Sequence, residues 1–197
     1  MNAALRGELL ALRERDLSVR AELEADGSLY DGYHPRMEAV HRANAERLRR
    51  IVSEVGWPHE GLVGAEGAEA AWLVAQHSIS EPDFMRRCRD ELERESAAGR
   101  VPRWQYAYLD DRIRVSEGRP QRFGTQLELK PDGPAPCEIE DPGHLDELRR
   151  EAGLPSMEER LRAMAAQPRP TAFELEARKA AEERWRRRVG WSVARDA

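Results

Sequence analysis

Four polar residues stand where the spacing calls for an apolar one. Between residues 3 and 25, Leu5, Leu9, Leu12, Val19 and Leu23 follow the period of an amphipathic helix, and the missing step is Asp16. Between 35 and 55, Met37, Val40, Leu48, Ile51 and Val55 leave a gap filled by Asn44. Trp104, Tyr108 and Val115 leave one filled by Asp111, and Ala70, Leu73 and Val74 lead to His77 beside Gln76. A buried polar group without a partner costs about 1–3 kcal/mol, so four of them predict a satisfied network or a wet pocket between helices. In such a pocket His77 is the natural acid or base near neutral pH. Asp16 and Asp111 are expected to orient it or to act as a partner base. Arg20 and Arg112, each close behind an aspartate, are expected to hold a carboxylate or phosphate in a bidentate fork. Asn44, Gln76, Gln121, Thr125 and Gln126 are expected to orient the substrate. A purely structural account assigns the same residues to ion pairs, to a helix cap at His77 and to a loop carbonyl bound by Asn44.

This chemistry requires no organic cofactor, and none is expected. His77 with Asp16 and Asp111 could also bind a divalent ion, and Glu38-Ala-Val-His41 has the Glu-x-x-His spacing found twice in di-iron bundles, here in one copy. Cys88 sits among Arg86, Arg87 and Arg89, which could lower its pKa, but no base is paired with it by motif. No phosphate loop, dinucleotide fingerprint or Gly-x-Ser-x-Gly occurs. Arg184-Trp185-Arg186-Arg187-Arg188 could touch nucleic acid, yet four glutamates precede it in the same helix. Nucleic acid is therefore not the expected partner. That helix is read as docking on the body or on a second copy of the chain.

The elements that must position these residues are mostly helices. Helices are expected over about 3–25, 35–55, 66–77, 82–98 and 102–115, with Gly56-Trp57-Pro58 stopping the second and Ser80 capping the fourth. A proline- and glycine-rich stretch follows. Within it Phe123–Leu129 and Pro136–Ile139 could pair as a hairpin around Pro131-Asp132-Gly133-Pro134. Two short helices reach about Ala166, a linker spans 167–170, and Thr171 with Glu174 forms a capping box for a last helix to about 189. The fold class is thus mainly α. It is a bundle of about five core helices in a domain over 1–166, with a hairpin insertion near 116–140 and a C-terminal helix over 171–197.

The 197 residues are 35% charged and 40% hydrophobic, with a net charge of −5, which allows a core and argues against wholesale disorder. No apolar run approaches a membrane span, and charges interrupt every apolar stretch near the N-terminus. Two cysteines make no disulfide framework, so a cytoplasmic protein is expected. Thirty arginines against two lysines read first as a coding bias.

Several short motifs occur in order: Asp16…Arg20, Asn44, Gly56-Trp57-Pro58, Val63-Gly64, Ala71-Trp72-Leu73, Gln76-His77, Tyr108-Leu109-Asp110-Asp111-Arg112 and Gly124-Thr125-Gln126. On these the chain resembles a bacterial family of small proteins of unknown function, over about residues 10–165. The resemblance implies that the stripe-breaking residues belong to the family's pattern, and it carries no activity. Ser116 departs from it, standing where Asn is expected before Glu117-Gly118. The function expected is a small enzyme doing acid–base chemistry on a small polar or anionic metabolite, by hydrolysis, elimination, isomerisation or cyclisation. The alternative is a non-catalytic domain that binds a small molecule or a protein partner.

Overall fold

The computed structural model describes residues 1–30, 33–130, 133–164 and 172–191, leaving aside the side chains of 30, 129 and 172–179. The protein is mainly α. It divides into two compact units, Met1–Val101 and Pro102–Ala197.

The first unit holds α1 (Ala3–Ala25), α2 (Pro35–Val55), α3 (Glu60–His77) and α4 (Pro82–Ala97). α1 packs on α2 and α3, α2 on α3, and α3 on α4. The stripe of α1 is buried as its spacing requires: Leu5, Leu9, Leu12 and Leu23 face the core, and Asp16 faces it with them. Each fully buried Leu contributes about 1.5–3 kcal/mol, which offsets the cost of taking one carboxylate out of water. α2 differs from expectation. Its buried positions are Met37, His41, Asn44, Ala45, Leu48 and Ile51, whereas Val40 is half-buried and Val55 exposed. The inward face thus turns through His41. Gly56 ends α2 at a φ of +77°, and Trp57 drops into the core at 2% exposure, so this motif is a stop and an anchor. α3 starts earlier than expected, because a first turn from Glu60 joins the helix across a kink at Gly64 (φ +74°). Ser80 does not cap α4. Glu81 holds that position, and the Ser80 hydroxyl donates to Glu38 instead.

The second unit holds α5 (Arg103–Ser116), the antiparallel pair β1 (Leu127–Lys130) and β2 (Gly133–Pro136), α6 (Leu145–Glu151), α7 (Met157–Met164) and α8 (Ala172–Val189). Leu127 pairs with Pro136 and Lys130 with Gly133. The hairpin is shorter and its second strand earlier than the sequence suggests, because Phe123 leaves the strand to become a fully buried core residue. Ser156 and Glu159 cap α7 reciprocally. α8 comes against β1. The expected linker at 167–170 and the Thr171 cap lie outside the described residues.

Candidate active site

The first unit brings one carboxylate and two imidazoles together. Asp16 comes from the third turn of the α1 stripe, His41 from the inward face of α2 and His77 from the last residue of α3. His77 Nδ1 lies 2.8 Å from Asp16 Oδ2. His41 Nε2 lies 3.1 Å from the same oxygen, but out of hydrogen-bond alignment. The two rings are 4.9 Å apart, inclined at 42°. Asp16 is 1% exposed and His41 8%, while His77 retains 23%. Burial opposes ionisation of Asp16, but the attraction of the two imidazoles, His41 and His77, outweighs it. The carboxyl is held well below the usual range.

Around this centre lies a second layer, drawn from α2 and from the loop before it. Tyr33 Oη is 2.6 Å from His41 Nδ1. Burial raises the Tyr33 phenol well above its ordinary value, so it keeps its proton and can donate to Nδ1. With the phenol donating, His41 carries its own proton on Nε2; with the phenol accepting, the proton is on Nδ1. Asn44 donates from Nδ2 to the Leu12 carbonyl, one turn before Asp16 on α1. Its partner is thus a helix carbonyl, where the structural account had a loop. Glu38, three residues before His41, turns to Ser80 and Arg42. Gln76 is buried next to His77 in sequence.

Arg20, expected to hold a substrate anion, does not pair with Asp16 among the described residues. Arg20 lies on the exposed side of α1, with its guanidinium 2.8 Å from Glu24. The inward face of a helix cannot hold both Asp16 and a hydrated arginine head, so two imidazoles take its place.

The remaining expected residues belong to the second unit, where they organise a loop. Asp111 is fully buried, and its carboxylate accepts the backbone N–H of Arg122 at 2.7 Å, Phe123 at 3.0 Å and Thr125 at 2.9 Å. Gln121 donates from Nε2 to the carbonyls of Gln126 and Cys137, and its Oε1 accepts from the Gln126 N–H. Gln126 in turn donates to the Thr125 hydroxyl. Burial lowers the Arg112 pKa. Sequence reasoning missed Arg149, which is 2% exposed and donates to the carbonyls of Phe123, Gly124 and Pro155. Cys88 is buried, and that burial pushes its thiol well up despite the arginines nearby.

Among the described residues, Asp16, His41 and His77 also form the one group of three metal-capable side chains, with donor atoms all within 4.8 Å. His41 takes the place the sequence had given to Asp111.

Fold and site define a mainly helical protein whose first unit buries a carboxylate between two imidazoles. The chain belongs to a family of unknown function, DUF6624, whose model matches residues 3–167. No curated protein and no solved structure matches it. No helix among the described residues is long and apolar enough to cross a membrane.

Proposed function

We propose that the chain is an enzyme that moves protons on a small polar or anionic metabolite, with Asp16 and His77 as its working pair. The reading rests on one observation. The Asp16 carboxylate is buried at 1% exposure and sits 2.8 Å from Nδ1 of an imidazole that keeps 23% of its surface. A buried carboxylate behind a reachable imidazole fixes the ring's orientation and tautomer, and stabilises the charge the ring gains on taking a proton. His41 approaches the same carboxylate oxygen, with Tyr33 behind it. Asn44 and Gln76 are buried polar side chains of the same unit. Hydrolysis, elimination, isomerisation and cyclisation all fit this machinery, and a cytoplasmic location suits a soluble metabolite.

The test is turnover by the purified chain on a panel of carboxylated and phosphorylated metabolites, followed by NMR, for the parent and for His77→Ala. The expected result is a loss of about 10²–10⁴-fold in rate with the helical signal retained. His41 still faces Asp16 in that variant, so the carboxylate is not left bare. Unchanged turnover in His77→Ala, or a variant whose only defect is a lowered melting temperature, overturns the reading.

A further inference from the structure

We propose that Asp16, His41 and His77 are the ligands of a divalent transition-metal ion. Three side chains from three helices converge here, and their donor atoms are the two-imidazole, one-carboxylate set that suits zinc, iron or manganese. The spacing fits. Donors about 2.0–2.2 Å from one ion, at tetrahedral or octahedral angles, stand about 3.0–3.5 Å from one another. His77 Nδ1 and His41 Nε2 lie 2.8 Å and 3.1 Å from Asp16 Oδ2, the first slightly inside that range. All three donors lie within 4.8 Å of one another, so small shifts would seat an ion.

Two buried atoms in the centre lack what an ion supplies. Among the described residues Asp16 Oδ1 has no hydrogen-bond partner, and His41 Nε2 faces the carboxylate without the alignment a hydrogen bond needs. A buried polar atom left this way is costly, and native interiors satisfy nearly all of them. One cation held by Oδ2 and the two ring nitrogens gives His41 Nε2 a partner, and a bidentate carboxylate would bring Oδ1 to it as well. The donor chemistry also fits, since a metal ion draws on a carboxylate and on imidazoles in their neutral form.

The second layer matches as well. Metal-bound imidazoles hold their other nitrogen to a fixed partner, which sets ring orientation and basicity. His41 Nδ1 has the Tyr33 hydroxyl at 2.6 Å. That hydroxyl can accept as well as donate, so it serves the tautomer with Nδ1 protonated and Nε2 free to bind metal. Three protein ligands leave a coordination position open for water, the arrangement of catalytic rather than structural sites. This goes beyond the acid–base reading: with an ion bound, His77 would be a ligand and a metal-held water would supply the proton in its place.

The test uses the full chain, stripped with a chelator and titrated with Zn²⁺ by calorimetry and with Co²⁺ by absorption spectroscopy. The expected result is one ion per chain, with ligand-field bands from nitrogen and oxygen donors. Asp16→Asn and His77→Ala should each lose stoichiometric binding. Tyr33→Phe leaves all three ligands in place and should weaken binding about 10–100-fold. Circular dichroism of each variant separates lost ligands from lost fold. The proposal is overturned if Asp16→Asn and His77→Ala, still helical, bind as the parent does. It is equally overturned by thiolate charge-transfer bands in the Co²⁺ spectrum, which would put the ion on Cys88 or Cys137. Because no substrate takes part, failure to bind an ion leaves the acid–base reading standing, and a failed metabolite panel leaves ion binding standing.

Discussion

Replacing Asp111 by Ala should unfasten the loop that follows α5, and the size of the effect can be worked from its contacts. The carboxylate is fully buried and accepts three backbone N–H groups, from Arg122, Phe123 and Thr125. The Phe123 and Thr125 residues are themselves buried, so their amides cannot turn to water once the carboxylate is gone. Each stranded amide costs about 1–3 kcal/mol, and Arg122, half-buried, can recover a water partner. The expected loss is therefore about 2–6 kcal/mol. Asp111→Asn should cost less, because a carboxamide oxygen keeps one or two of the three bonds while its NH₂ faces the third donor. Urea denaturation gives the loss. Native-state hydrogen exchange locates it, with the amides of Arg122, Phe123 and Thr125 losing protection together. A change below about 0.5 kcal/mol in Asp111→Ala, the range of an ordinary surface substitution, would refute the assignment of this carboxylate to the loop.

Two further predictions concern residues outside the centre. Arg149→Lys should destabilise the chain by about 2–4 kcal/mol, because an ammonium cannot span the carbonyls of Phe123, Gly124 and Pro155 as the guanidinium fork does. Chemical denaturation measures it, and a loss under about 0.5 kcal/mol would show that the clasp is dispensable. Cys88, 1% exposed with its thiol pushed up by burial, should resist an aromatic disulfide reagent in the folded chain and react once urea unfolds it. Reaction at the rate of a free thiol in native buffer would contradict its burial.

The α1 stripe was legible in the sequence because one face of a helix repeats at a fixed interval, and a break in it marks the polar intruder. Asp16 was found that way, and Asn44 likewise. His41 was not, although its signal was present. Met37, His41, Asn44, Leu48 and Ile51 climb α2 in alternating steps of four and three, a cleaner ladder than one through Val40. Preferring an apolar residue at each rung hid the second imidazole. Asp16 meets imidazoles and not the arginine that follows it on α1. Arg20 is near in sequence, whereas His41 and His77 reach Asp16 only after three helices pack, and that packing is not written in local spacing. Asp111 and Arg149 show a further limit. Burial of Asp111 could be inferred, but its partners are backbone amides, and those of Arg149 are backbone carbonyls. Every residue carries such groups, so residue types alone cannot reveal which loop turns them inward.

The central claim is that Asp16, His41 and His77 form one coupled centre. The imidazole ¹⁵N spectrum of the metal-free chain tests it directly, compared between the parent and Asp16→Asn. The account predicts that removing the carboxylate charge shifts the ring nitrogens of both His41 and His77, while those of His34, His59 and His144 stay in place. Resonances of His41 and His77 that do not move, or only one of the two moving, would contradict it.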